Sequence, residues 1–143
     1  LKLNFIDIDK EIEKEVGITI RKIFETQGED YFRKIEEKIT IKKLNLNSVV
    51  ISLGGGAFLN SKIRKEILKK HISFWLNCNE QVILNRIKNS KKRPLSNKLT
   101  NNELIELMKK RSNIYSKALY EIKCNSLSKV DIVDKILKIY ETN

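Results

Sequence analysis

The sequence predicts an α/β fold in which a parallel sheet lies between two layers of helices. Three observations carry that expectation. Short apolar, β-branched runs such as "VVISL" (Val49 to Leu53) and "ISFWL" (Ile72 to Leu76) read as buried strands. Longer segments between them repeat apolar residues at three and four, the spacing of one helix face. Strand and helix then alternate along the chain, the order that builds a parallel sheet covered on both faces through right-handed crossovers. The 143 residues suffice for one domain with a real core, and no linker or repeat divides residues 1–143.

The first strand is read from "LKLNFIDID", which places Leu3, Phe5 and Ile6 in an extended run ending near Asp7. In "KEIEKEVG", Ile12 and Val16 stand four apart and Gly17 closes a helix. "ITIRKIFETQG" puts Ile20, Ile23 and Phe24 on one face, closed by Gly28. "EDYFRKIEEKITIKKL" opens with acids that suit a helix N-terminus and carries a stripe of Phe32, Ile35 and Ile39, with Leu44 beyond. After the strand "VVISL" comes "SKIRKEILKK", a helix with Ile63, Ile67 and Leu68 inward. "ISFWL" is the next strand, and "NEQVILNRIKN" a helix packing Val82, Ile83 and Ile87. The polar "SKKRPLSNKL" holds the only proline and reads as a lid over about residues 88–99. Thr100 caps a long helix, "YEIKC" is a last strand, and "KVDIVDKILKIY" a terminal helix with Ile132, Ile136 and Ile139 on one side.

Net charge is +11, which would attract phosphates. Lysine, however, is spread along most helical segments together with abundant Ile and Asn, so the charge reads as a compositional bias, and no nucleic-acid partner is expected. Trp75 sits inside an apolar run and reads as core. No run is long enough to cross a bilayer, and no membrane partner is expected. Cys78 and Cys124 stand far apart with no CxxC, and the lone His71 completes no metal-ligand spacing with them. Two thiols of this kind fit a reducing compartment.

Three of the five glycines fall together, in "VVISLGGGAFLN", directly after a strand. A side-chain-free backbone there lets a ligand come close, and ligands of parallel sheets bind beyond the carboxyl ends of the strands. The acidic "DID" lies at the same end of its own strand. Asp7 and Asp9, two apart, would point the same way from an extended chain, where they could share a metal and a substrate hydroxyl; helix capping by Asp9 is the plainer alternative. Arg33, with Glu36 one turn on, Arg93 in the basic loop and Arg111 in "KKRSNIY" are the residue type that grips carboxylate or phosphate through a bidentate fork. Each taken alone reads more readily as surface than as site.

Taken in order, "FIDIDKEIEKEVGITIRKIFETQGEDYFRKIEEK", "VISLGGGA", "RPL" and "RSNIYSKA" closely resemble shikimate kinase, from Phe5 to about Ala118. The resemblance implies the P-loop fold of the nucleoside monophosphate kinases, a five-stranded parallel sheet in the order 2-3-1-4-5. It implies transfer of the ATP γ-phosphoryl to the 3-hydroxyl of shikimate, on the route to chorismate and the aromatic amino acids, with ATP and Mg²⁺ as cofactors, by a cytoplasmic monomer. Asp9 matches the aspartate that holds the reacting hydroxyl, with general-base action open to it. Asp7 matches the one that positions Mg²⁺ through water. Arg33 and Arg111 match the clamp on the shikimate carboxylate, and Gly54, Gly55 and Gly56 the turn that approaches the ring. Phe32 and Glu36 match residues that pack and brace that pocket. Arg93 matches the catalytic lid arginine that reaches the phosphates, and Arg86 a position near the adenine.

One part of that pattern is missing. The glycines stand at 17, 28, 54, 55 and 56, and no G-x-x-x-x-G-K-[ST] loop occurs. In the family this loop precedes the D-x-D segment. The expectation is therefore a chain without its first strand and phosphate loop, unable to hold ATP productively and poorly folded alone, because "VVISL" and "ISFWL" each lose a neighbouring strand. The main alternative is a non-catalytic relative that binds shikimate or regulates; a basic nucleic-acid binder and another small-molecule kinase of the same fold stand behind it.

Overall fold

The computed structural model describes residues 3–88 and 99–142. It forms two compact units, Leu1–Lys69 and Lys70–Asn143.

The first unit runs β1 (Asn4–Asp7), α1 (Ile8–Val16), α2 (Ile20–Thr26), α3 (Gly28–Leu44), β2 (Val49–Ser52), a 3₁₀ turn (Ala57–Leu59) and α4 (Ser61–Lys70). β1 and β2 pair in parallel, from Asn4 opposite Val49 to Asp7 opposite Ser52, with α1 to α3 as the connection. Side chains alternate across a strand, so Ile6 and Ile51 turn onto a core of Ile8, Ile12, Ile23, Phe32 and Ile39. Burial of each such isoleucine contributes about 1.5–3 kcal/mol. The Phe24 and Phe32 rings meet there at 4.8 Å, and an ion pair between Lys43 and Glu11 joins α3 to α1. On the opposite face, Phe5 and Val50 stand side by side, 66% and 47% exposed.

Two boundaries differ from the sequence reading. α1 begins at Ile8, because the Asp7 carboxylate accepts from the Asp9 backbone N–H at 3.0 Å and caps the helix. Asp7 is thus the cap, and Asp9 lies in the first helical turn. The two acids do not share one face of an extended strand. Gly17 closes α1 as expected, at a φ of 78° that side chains resist. Gly28, in contrast, opens α3 rather than closing α2, which ends on Thr26.

The second unit runs β3 (Phe74–Asn77), α5 (Glu80–Lys88), α6 (Asn101–Tyr115), β4 (Tyr120–Lys123) and α7 (Lys129–Glu141). β3 and β4 are parallel, from Phe74 opposite Tyr120 to Asn77 opposite Lys123. Thr100 caps α6 in a reciprocal box with Glu103, and Ser128 does the same for α7 with Asp131. Leu84 and Leu104 join α5 to α6, with Ile83, Ile105 and Met108 against them. Trp75 is half-buried, its ring 6.1 Å from Tyr115.

The inward faces of two helices shift from expectation. Leu84, not Val82, is buried on α5, and Leu68 on α4 is exposed. Runs such as Val82-Ile83-Leu84 fit more than one helical phase, and packing on Leu104 selects one of them. Among the described residues, β2 and β3 each hydrogen-bond to a single strand.

Candidate acceptor-binding site

The site of the first unit is built on three elements, the first turn of α1, the N-terminal half of α3 and the turn after β2. The turn begins where β2 runs out of apolar residues. The Gly54 carbonyl accepts from Ala57 N–H and that of Gly56 from Leu59 N–H, both at 3.1 Å, which winds the chain into the 3₁₀ turn. Several contacts then hold this turn. The Arg64 Nη1 donates to the carbonyls of Phe58 and Leu59, each at 2.9 Å. Asn60 accepts from the N–H groups of Lys62 and Ile63 and so caps α4. Its amide donates to Glu37 on α3 at 2.7 Å, and Lys62 pairs with the same carboxylate at 2.9 Å. Those contacts hold the Glu37 carboxyl below the usual range.

The glycines are there because side chains of α1 and α3 occupy the space a β-carbon would need. At Gly54 a Cβ would stand 2.9 Å from Asp9 Oδ1 and 3.4 Å from Glu36 Oε1. At Gly56 it would stand 2.2 Å from Arg33 Nη1. Gly55 lies between them. Asp9, Arg33, Glu36 and the glycine turn, separated in sequence, therefore converge on one spot.

Arg33 is held firmly. Its Nη1 donates to Glu36 Oε2 at 2.7 Å, while Nε and Nη2 both reach Glu29 Oε1, at 3.2 and 3.1 Å. Its guanidinium also lies 5.1 Å from the centre of the Phe32 ring. These bonds use three of its N–H groups. Of about five that a guanidinium carries, one on each terminal nitrogen remains unused among the described residues, a fork suited to a carboxylate. Glu36 is 2% exposed. Burial pushes its carboxyl up, and Asp9 and Glu29 add to the rise against the opposing pull of Arg33. Burial disfavours the Arg33 cation, yet Glu36 and Glu29 outweigh it and raise its pKa. The two ends of the pair thus respond differently: the arginine keeps two carboxylates, whereas Glu36 is crowded by its own kind.

Phe32 packs in the core below. Glu29 was not singled out in the sequence, although its place four residues before Arg33 is a helical pairing distance that would have flagged it. Arg64, Asn60 and Glu37 carried no such signal, because their partners are backbone groups or lie on other elements. In the second unit Arg111 lies on α6, half-buried, and its Nε has no hydrogen-bond partner among the described residues. An N–H in that condition favours an anionic ligand. Arg86 lies on α5. Arg93 and most of the expected lid fall outside the described residues.

The implied donor groups fit unequally. No cluster of three His, Cys, Asp or Glu able to hold a metal occurs among the described residues. Mg²⁺ keeps several waters and needs only one or two carboxylates, so Asp7, with one oxygen engaged in capping, fits a water-mediated role. No loop for nucleotide phosphates is present in the sequence.

The shikimate kinase family model matches residues 1–141. Shikimate kinase of Persephonella marina is 36% identical over 137 residues, covering 96% of this chain and 83% of the relative. That of Thermodesulfovibrio yellowstonii is 38% identical over 146 residues, with 99% and 82% covered. That of Bartonella henselae is 33% identical over 139 residues, and there the chain spans 66% of the relative's length. Among solved structures, shikimate kinase from Acinetobacter baumannii in complex with shikimate superposes with a TM-score of 0.91 at 31% identity, covering 99% of this chain and 80% of that one. The enzyme from Aquifex aeolicus gives 0.83 at 32% identity, covering 98% and 83%. The α/β architecture is that of these kinases.

Proposed function

The chain belongs to the shikimate kinase family, and we propose that the cluster of Asp9, Arg33, Glu36 and the glycine turn holds shikimate for phosphorylation of its 3-hydroxyl. The observation that carries this reading is the seating of Arg33 against Gly56 with a fork of N–H groups still available. The fork takes the carboxylate of the acceptor; Arg111 is the residue that matches the family's second clamp. The bare backbone of Gly54 to Gly56 lets the ring lie close. Asp9, whose carboxylate stands against Gly54, holds the reacting hydroxyl and accepts its proton.

Phosphoryl transfer needs placement and charge neutralisation more than covalent help. ATP with Mg²⁺, when bound, would supply the phosphoryl group. Asp7 would position the metal through water, Arg93 would meet the phosphates from the lid, and Arg86 would lie near the adenine. The protein acts on this small molecule as a cytoplasmic monomer. No helix among the described residues is long and apolar enough to cross a membrane.

The test is calorimetric titration of shikimate into the protein and into Arg33→Ala, with transfer from Mg·ATP followed by phosphorus NMR. Binding should be lost or weakened at least tenfold in the variant, a change of about 1.4 kcal/mol. Equal affinity in both would remove the clamp. Binding without transfer would leave the acceptor site standing and is the outcome expected of a sequence that carries no phosphate loop.

A further inference from the structure

Cys78 and Cys124 are remote in sequence, yet the β3–β4 ladder brings them level. In a parallel ladder, an N–H that points across to the neighbouring strand, as every second one does, bonds the carbonyl one residue before its partner. Tyr120, opposite Phe74, shows the pattern by donating to Ser73 O at 3.0 Å. Cys124 donates to Asn77 O at 2.8 Å, so the ladder runs one step further and sets Cys124 opposite Cys78. Alternation puts this pair on the face of Phe74 and Tyr120, whose rings stack at 5.5 Å. Neighbouring strands lie about 4.8 Å apart, within the Cα window of about 4.4–6.8 Å that a disulfide spans. Both residues are half-buried, neither is in a disulfide, and the Cys124 thiol donates to Ile122 O at 3.2 Å.

We propose that Cys78 and Cys124 form a redox-reactive dithiol that a peroxide closes to a disulfide. One thiol takes an oxygen from the peroxide, giving a sulfenic acid and water. The other displaces that oxygen as a second water and the S–S bond forms. Two thiols are oxidised and one peroxide is reduced, with no other reactant. The bond would tie the carboxyl ends of β3 and β4 just before α5 and close a loop of roughly 45 residues, long enough to restrict the unfolded chain and raise its melting temperature.

The experiment treats the full chain with dilute hydrogen peroxide, blocks remaining thiols by alkylation and measures mass without reductant. The expected result is a loss of two hydrogen atoms, no alkylation at either cysteine, a cross-linked Cys78–Cys124 peptide and reversal by dithiothreitol. Cys78→Ser and Cys124→Ser should each abolish the two-hydrogen loss. Oxygen added at the two cysteines independently, bridges between separate chains, or thiols untouched at doses that oxidise glutathione would each overturn the proposal.

Discussion

Arg33 donates across 2.7 Å to a Glu36 carboxylate that is almost wholly out of water. The Glu36 carboxyl is held above the ordinary glutamate value. In the window between the unfolded and folded values, the folded protein therefore binds the proton that the unfolded chain releases. Stability falls as pH rises through that window and recovers on acidification. Melting temperature measured from mildly acidic to neutral pH should show this fall. Glu36→Gln should flatten it and weaken shikimate binding by about 1–3 kcal/mol, since Arg33 loses a charged partner.

A methyl group at Gly56 would strike the far end of Arg33, a flexible side chain that can swing aside. Gly56→Ala should therefore lower affinity for shikimate about tenfold, or ~1.4 kcal/mol, and also lower the melting temperature, because an Arg33 pushed aside leaves the buried Glu36 carboxylate without its partner. Gly17→Ala is the contrast. It has open space around it but a φ of 78°, so it should cost stability by about 1–2 kcal/mol and spare binding. Denaturation and calorimetry on the two variants separate close approach from backbone strain.

Arg64 supplies the donor for the carbonyls of Phe58 and Leu59 at the end of the 3₁₀ turn. Hydrogen bonds from charged groups contribute about 1.5–3 kcal/mol. Arg64→Ala should lose stability of that order in urea and, because the glycine turn loosens with it, also lose shikimate affinity. Arg64→Lys can reach one carbonyl and should restore part of both. Affinity unchanged in Arg64→Ala would confine the arginine to a purely structural role.

Thr40 is fully buried on α3, and its hydroxyl has no hydrogen-bond partner among the described residues. A buried hydroxyl without a partner costs about 1–3 kcal/mol. Thr40→Val keeps the shape and removes the polar atom, so urea denaturation should show equal or greater stability, by up to about 2 kcal/mol. A clear loss would mean that a buried water satisfies the hydroxyl.

How much of this was legible beforehand depends on the range of the force involved. The strands and helices came from local periodicity, and Ile12, Ile23, Phe32 and Ile39 did enter the core. Thr100 announced its cap because its partner Glu103 is three residues away. Glu36 beside Arg33 was readable for the same reason. Val82 and Leu68 were misplaced, because the phase of an apolar run is chosen by a distant packing partner. Asp7 took the capping role considered for Asp9, since a helix begins wherever a side chain first reaches the second N–H beyond it. The level placement of Cys78 and Cys124 had no local signature, being fixed by strand register alone.

The capping role of Asp7 confounds the usual genetic inference about a metal-positioning acid. An alanine there would remove the charge and also unravel the turn that carries Asp9. Lost turnover in such a mutant would therefore say nothing specific about magnesium. Asparagine keeps the capping oxygen and discards the charge, so it is the replacement whose phenotype can be attributed to the ion.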